Sequence, residues 1–136
     1  MNWINTLVFE FNRTFITGDR WKMFADGVKV TLTLSLFSVL LGLAIGILLA
    51  LGKLCKFKPI KWFCNLYIDV IRGTPTMVQL LIIYFIFFAS VAIDRRVVAI
   101  IAFGINSSAY VAEIIRGGIL SVNPGQTEAG RSLGLN

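Results

Sequence analysis

The chain has 136 residues, 57% of them hydrophobic and 15% charged, with a formal net charge of +6. A water-soluble domain is normally about 45–50% apolar and about 25% charged, so the composition excludes an ordinary soluble fold and predicts an integral membrane protein. Histidine is absent, which excludes His-based acid–base catalysis and most transition-metal sites.

The N-terminal segment, residues 1–26, predicts an amphipathic helix. Apolar residues recur at helical spacing from Trp3 to Phe15, while Asn5 and Glu10 fall on other faces. Such a helix lies in the membrane interface or packs onto the transmembrane helices, and the pattern is compatible with both arrangements.

Residues 30–52 predict the first transmembrane span. They contain no charged residue and, at about 1.5 Å per residue, they are long enough to cross a hydrocarbon core about 30 Å thick. Small residues recur on one face of this span, which favours close packing against a neighbouring helix over simple tolerance of glycine in lipid. These residues are Ser38, Gly42, Gly46 and Ala50.

The link from Lys53 to Lys61 is rich in lysine and contains no acid, which predicts a cytoplasmic location. Basic residues also precede the first span, so charge counting alone leaves the orientation open. Basic residues placed between apolar runs predict contact with anionic lipid rather than with nucleic acid. Cys55 and the later Cys64 have no neighbouring metal-ligand residues, so we interpret both as reduced thiols.

Residues 59–71 predict a short helix along the membrane surface, and a helix-break motif follows it. Gly73 disfavours continuation of that helix, Thr74 is a good N-cap and Pro75 is a good first residue. A new helix is therefore expected to start at Pro75, directly after Arg72-Gly73-Thr74.

The second span, residues 75–93, contains one strongly polar side chain, Gln79. An amide inside a membrane helix either bonds to a neighbouring helix or lines a pore, and the two roles are equally compatible with the pattern. The Asp94–Arg96 stretch predicts a three-residue hairpin link. It has fewer basic residues than the Lys53–Lys61 link, which favours the outer side of the membrane.

The third span, from Val97 to Gly118, carries polar residues on one face of its inner half. Glu113 is expected near the inner boundary, because a carboxylate near the bilayer centre costs several kcal/mol. Its side chain either pairs with Arg116 one turn later or faces an aqueous path. The stripe consists of Asn106, Tyr110, Glu113 and Gly117.

A short polar helix is predicted to follow the third span, covering residues 124–133 and ending near Gly134. Asn123 is suited to the N-cap, Pro124 to the first position and Gln126 to the third. A pore-facing helix joined to a short exposed helix could receive a push from a partner outside the bilayer.

No nucleotide-binding loop occurs in the sequence. The nearest approach, residues 46–54, has the wrong spacing between its glycines and a leucine where Ser or Thr is needed. With no Ser-His, Cys-His or metal-ligand constellation, the sequence predicts neither an enzyme nor a metal site.

Three stretches, in this order, together resemble the polar amino-acid permeases of ATP-binding cassette importers. Residues 67–75 with 79–80 (YIDVIRGTP and QL) look like the start of their second core helix. Residues 109–119 (AYVAEIIRGGI) resemble the helix before their coupling loop, and residues 126–134 (QTEAGRSLG) resemble their EAA motif. Gly130 stands where the family usually has Ala, which is expected to loosen the helix by roughly 0.5–1 kcal/mol.

The resemblance implies an all-α integral membrane helical bundle. Residues 1–26 would be the amphipathic segment, and residues 27–136 the N-terminal part of a type I importer domain with three transmembrane helices and a cytoplasmic coupling helix. The implied location is a bacterial plasma (inner) membrane. The implied partners are an ATP-binding cassette ATPase, a second permease copy or homologue, and an external substrate-binding protein.

The resemblance also implies that the chain binds no cofactor itself, since ATP would be held by the ATPase. The family continues past the coupling helix, so we expect this chain to be truncated. Contacts with the ATPase are expected from Gly125, Gln126, Glu128, Ala129 and Gly134, and contacts with substrate from Gln79, Asn106, Tyr110 and Glu113.

In the resulting hypothesis, closure of the ATPases moves the short helix and thereby tilts the third span. The alternative is a small helical accessory protein that has no transport activity and packs on a partner through the Ser38–Ala50 strip.

Overall fold

The computed structural model describes residues 3–135, and this range is helical with no strand. Short π-helical segments extend two of its helices, over Asn12–Ile16 and Ile83–Phe87. The predicted all-α class is therefore confirmed. The α-helices in this range are α1 (Trp3–Phe11), α2 (Arg20–Leu54), α3 (Lys58–Gly73), α4 (Thr76–Ile82), α5 (Arg95–Leu120) and α6 (Pro124–Ser132).

The chain forms two compact units, Met1–Leu36 and Phe37–Asn136. In the first unit, Gly18 and Asp19 adopt left-handed backbone conformations, with φ of 71° and 56°, and separate α1 from α2. The α1 side chains are exposed, so this unit contributes apolar surface rather than a core. Met1 and Asn2 of the predicted N-terminal segment lie outside the described residues.

Helix α2 begins ten residues before the predicted span, at Arg20 rather than at residue 30. The charged residues between Arg20 and Lys29 end the apolar run, but they are compatible with helical backbone and so do not end the helix. The sequence pattern thus located the hydrophobic part of α2 and not its first turns.

The second unit is built on close packing between α2 and α5. All four small residues of the predicted strip, from Ser38 to Ala50, are buried. A Cβ atom placed on Gly42 would lie 2.8 Å from Cβ of Ser107, and one on Gly46 would lie 2.6 Å from Cγ1 of Val111. The strip thus packs against α5 of the same chain.

Helix α3 packs against this pair beside the C-terminal part of α2. Its Ile68 is fully buried, in one cluster with Ala50 of α2 and with Ala109 and Ala112 of α5. The small residues of α2 and α5 let the three backbones approach closely, so that one isoleucine fills the space between them.

The junction between α3 and α4 bends by 108°. The predicted capping at this junction was wrong, because Pro75 is the N-cap and Thr76 the first residue of α4. Thr74 is extended, as a residue before proline prefers to be, and its hydroxyl donates backward to the Val70 carbonyl at 2.8 Å. Gly73 is the last residue of α3 and does not interrupt it.

The predicted second span and hairpin link also need new bounds. Helical backbone ends at Phe87 rather than at residue 93, so α4 and its π-helical extension span only about 18 Å. The link covers residues 88–94. Asp94 is the N-cap of α5 and accepts a hydrogen bond from the Arg96 backbone N–H at 2.8 Å, so the two arginines belong to the helix.

Two helical stretches of the described residues, Trp3–Leu54 and Arg95–Leu120, are long and apolar enough to cross a membrane. The bent pair Lys58–Gly73 and Thr76–Phe87 passes the same test together, which makes up to three spans. Composition and helix length together establish a membrane protein.

Candidate functional site

A polar contact joins α4 to α5 within the second unit. Asn106 donates from Nδ2 to Oε1 of Gln79 at 2.9 Å, and the same nitrogen lies 3.5 Å from the Thr76 hydroxyl. Gln79 is only 6% exposed, and its own Nε2 has no partner among the described residues. Two residues of the predicted substrate path are thus brought together, although their contact with substrate stays a prediction.

A second polar contact joins α3 to α5, on a different face of α5 from the first. The hydroxyl of Tyr67, from α3, lies 2.9 Å from Oγ of the fully buried Ser108 and 3.3 Å from the carbonyl oxygen of Ile105. Tyr67 therefore fixes α3 against α5 through hydrogen bonds inside an otherwise apolar contact.

Glu113 lies at the centre of an ion-pair cluster that joins three helices. Its Oε1 pairs with Lys53 in the last turn of α2. Its Oε2 accepts from Nη2 and Nε of Arg116, at 3.0 and 3.3 Å, and lies 3.9 Å from Nη1 of Arg72 in α3. The predicted pair with Arg116 is present, and it is one of three cationic contacts.

The cluster is shielded from solvent at its centre and exposed at its rim. The side chains of Lys53 and Glu113 are 13% and 19% exposed, whereas those of Arg116 and Arg72 are 35% and 45% exposed. Breaking such a partly buried pair leaves a charge without compensation and is more costly than breaking a surface pair. Glu113 therefore holds the C-terminal parts of α2, α3 and α5 together.

Tyr110 of α5 lies next to this cluster and is partly exposed. Its ring is 44% exposed and faces the guanidinium of Arg72 at 5.6 Å from the ring centroid. Gly117, the last residue of the predicted stripe, is exposed. A Cβ atom placed on it would have no other residue within 4 Å. The stripe thus runs from the α4 contact through the ion-pair cluster to the exposed end of α5.

Helix α6 follows α5 through one short break and is capped at both ends. Asn123 is the N-cap, as predicted, and its Oδ1 accepts from the Gly125 N–H at 2.9 Å. At the other end, Gly134 has φ of 79°, and the backbone N–H of Leu135 donates to Gly130 while that of Gly134 donates to Arg131. This is the Schellman pattern, which requires a left-handed residue at Gly134.

The residues predicted to contact the ATPase lie on this helix or at its end. No residue of α6 is buried, and Gln126, Glu128 and Ala129 are exposed. Gly125 contributes its N–H to the cap, and Gly134 terminates the helix. The structure therefore presents these positions on a free surface, and their contact with a partner stays a prediction.

Sequence analysis missed Lys53, Tyr67 and Ser108 as parts of the site. In the sequence, Lys53 stands out only as the first lysine of the basic link, and Tyr67 only as the first residue of the stretch that resembles the second core helix. The sequence does contain a signal for the Lys53 contact. A carboxylate at the end of an apolar span needs a cation at the same depth, and Lys53 directly follows the first span.

Residues 42–136 match the family described as binding-protein-dependent transport system inner membrane component. The chain is 40% identical over 116 residues to the L-cystine transport system permease protein TcyB of Bacillus subtilis (strain 168), an alignment that covers 85% of the chain and 50% of the relative. It is 43% identical over 112 residues to the putative glutamine transport system permease protein GlnP of Rickettsia prowazekii (strain Madrid E), covering 81% of the chain and 51% of the relative.

The fold is similar to a solved structure described as the crystal structure of an amino acid ABC transporter with histidines. The TM-score is 0.76 at 40% sequence identity, and the alignment covers 100% of this chain and 59% of that chain. The chain thus spans about half the length of the curated relatives it matches.

Proposed function

Since the chain belongs to the family of binding-protein-dependent transport system inner membrane components, we propose that it forms part of the permease subunit of an ATP-binding cassette importer for polar amino acids. In this proposal, α2, α4 and α5 contribute to the membrane-spanning path. The supporting relatives are named as transporters of L-cystine, arginine and glutamine, all of which are polar amino acids.

The observation that carries the proposal is the arrangement of α5 and α6. Helix α6 is capped at both ends, has no buried residue and follows α5 through residues 121–123. Apolar side chains around it are also exposed, among them Leu120, Val122 and Leu133 at 60%, 54% and 80%. A short, preformed helix with uncovered apolar neighbours is suited to insertion into a groove of a cytoplasmic ATPase.

The substrate path is proposed to pass the Gln79–Asn106 contact. These amides and the Thr76 hydroxyl are polar groups of the α4–α5 contact, and Nε2 of Gln79 has no partner among the described residues. A polar amino acid supplies acceptors that such a donor could bind. Glu113 is proposed to stabilise the helices beside the path rather than to contact substrate, because its oxygens already face three cations.

The proposed assembly contains a second permease copy or homologue, two ATPase subunits and an external substrate-binding protein, and its location is the bacterial inner membrane. ATP would act on the ATPase, which must bind the two permease states with different free energies in order to switch them. The accessory-protein alternative is not favoured, because α5 of the same chain already covers the Ser38–Ala50 strip.

The proposal is tested by the charge reversal Glu128→Lys in the importer assembled with its partner subunits. We expect ATP-driven uptake of labelled polar amino acids to fall at least tenfold, which corresponds to about 1.4 kcal/mol of coupling free energy. Co-purification of the ATPase subunit should fall as well, because Glu128 lies on the exposed surface of α6.

The matched control is Glu10→Lys, which reverses an exposed charge on α1. It should leave both uptake and co-purification unchanged. Normal uptake by the Glu128→Lys importer would refute the coupling role of α6.

A further inference from the structure

The cluster around Glu113 carries more positive charge than its neighbours neutralise. Three cations, Lys53, Arg72 and Arg116, lie within 4.0 Å of a single carboxylate. Among residues 3–135, no other carboxylate lies within that distance of these three cations; Asp69, one helical turn before Arg72, forms no ion pair. The local formal charge is therefore +2 (three cations minus one anion) at a place that is partly shielded from water.

Arg72 is the cation of this cluster whose donors remain unused. Its Nη1 is 3.9 Å from Glu113, too far for a hydrogen bond, and its side chain makes no hydrogen bond within the described range. The guanidinium is nevertheless held in place, because it faces the Tyr110 ring at 5.6 Å. A planar fork of donors in a fixed position is suited to bidentate binding of an oxyanion.

The position of the cluster indicates which oxyanion it meets. Glu113 follows the uncharged stretch from Val97 to Ala112 directly, so it lies where the hydrocarbon core gives way to the headgroup layer. Ile114, which follows Tyr110 by one helical turn, is 72% exposed. This arrangement suits a phospholipid, because the positive charge could bind the phosphate while the exposed aliphatic side chain contacts the acyl chain.

We propose that Arg72, supported by Arg116 and Lys53, binds the headgroup phosphate of an anionic phospholipid at this corner of α3 and α5. Basic pockets between membrane helices commonly bind such headgroups. The bound phosphate supplies the second negative charge that the cluster lacks. Binding also holds α3 at the inner end of α5, because Arg72 belongs to α3 and Arg116 to α5.

The experiment measures binding of phosphatidylglycerol to the purified protein. Thermal unfolding is followed in phosphatidylcholine vesicles with increasing amounts of phosphatidylglycerol, and retained lipid is counted by native mass spectrometry. Arg72→Gln should weaken the apparent affinity for phosphatidylglycerol about tenfold, and Arg72→Lys by a smaller factor, because lysine keeps the charge but loses the planar fork.

Two further variants keep the test independent of folding. Arg95→Gln removes an exposed arginine at the opposite end of α5 and should leave the affinity within about twofold of the wild type. Glu113→Gln should lower the melting temperature in phosphatidylcholine, yet strengthen phosphatidylglycerol binding, since it raises the local charge from +2 to +3. A merely structural role for the cluster predicts no such strengthening.

Several results would overturn the proposal. They are unchanged phosphatidylglycerol retention in Arg72→Gln, equal loss in Arg95→Gln, and weakened lipid binding in Glu113→Gln. If inorganic phosphate or a free amino acid raises the melting temperature of the wild type and phosphatidylglycerol does not, the site binds a soluble anion instead. Since none of these measurements uses transport, failure here would leave the permease proposal standing.

Discussion

At the scale of single residues, polar side chains inside the second unit bond to one another across helices. Gln79 pairs with Asn106, Tyr67 with Ser108, and Glu113 with its three cations. Each pair joins different helices or successive turns, so each contributes to helix packing whether or not a substrate passes. An amide or hydroxyl without such a partner would be costly in an apolar environment.

The Gln79–Asn106 contact is open to a direct energetic test. In a double-mutant cycle with Gln79→Leu and Asn106→Leu, we expect a coupling free energy of about 0.6 kcal/mol, with an upper bound of about 1.7, as for other hydrogen bonds between membrane helices. Unfolding in mixed micelles measures it. Tyr84→Leu, a polar change elsewhere on the α4 extension, should show no coupling to Asn106→Leu.

If the two amides also bind substrate, the single variants should raise the substrate concentration needed for half-maximal uptake. If the double-mutant cycle gives the expected coupling energy but uptake by both single variants is normal, Gln79 and Asn106 contribute to helix packing alone.

At the scale of elements, the close contact between α2 and α5 depends on the absence of a side chain at Gly42 and Gly46. We expect Gly46→Ala to destabilise the protein by about 1–3 kcal/mol, because its Cβ would lie 2.6 Å from Val111 and 3.0 Å from the Ser108 carbonyl oxygen. The control is Gly27→Ala in the same helix, where the added Cβ meets nothing within 4 Å. That variant should be neutral or slightly stabilising, since alanine favours helix.

Denaturation in mixed micelles distinguishes the two variants. Equal stability of Gly46→Ala and Gly27→Ala would show that α2 and α5 are not in close contact in the membrane.

The sequence predicted those elements whose signal is local. The small-residue strip predicted a packing face, and Asn123-Pro124 predicted the start of α6, because both depend on residues within one or two helical turns. The start of α4 was misplaced by one residue, since Thr74 had two possible hydrogen-bond partners and the proline favoured the backward one. Such competition between a cap and a preceding carbonyl is not visible in residue types alone.

Contacts between distant parts of the chain were beyond local patterns. Lys53 and Glu113 meet because α2 and α5 pack at a particular register, and this register is set by Gly42 and Gly46 facing Ser107 and Val111. The sequence therefore predicted that Glu113 needs a partner, and found Arg116 nearby, but it could not identify the cation on another helix.

At the scale of the whole molecule, the link after α2 and the link after the α4 extension are expected on opposite sides of the membrane. Cys55, in the link after α2, is exposed, whereas Cys64 is buried, so the native chain offers one reactive thiol for labelling. In sealed cells, a membrane-impermeant maleimide should label Cys55 only after permeabilisation.

The complementary variant carries Ser90→Cys, in the exposed link after α4, in a Cys55→Ser background. It should be labelled in intact cells. Labelling of both positions from the same side would contradict the proposed topology.

The glycines of α2 let this helix pack against α5 with no free space between the two backbones at Gly42 and Gly46. Gly42 and Gly46 pack against Ser107 and Val111, and Lys53 pairs with Glu113, so residues 37–54 of α2 are expected to move together with α5. A force delivered at α6 would therefore displace a braced pair of helices, with α3 attached, rather than tilt α5 alone. If these helices move as one rigid group, a displacement of α6 would produce a displacement of similar size at Asn106.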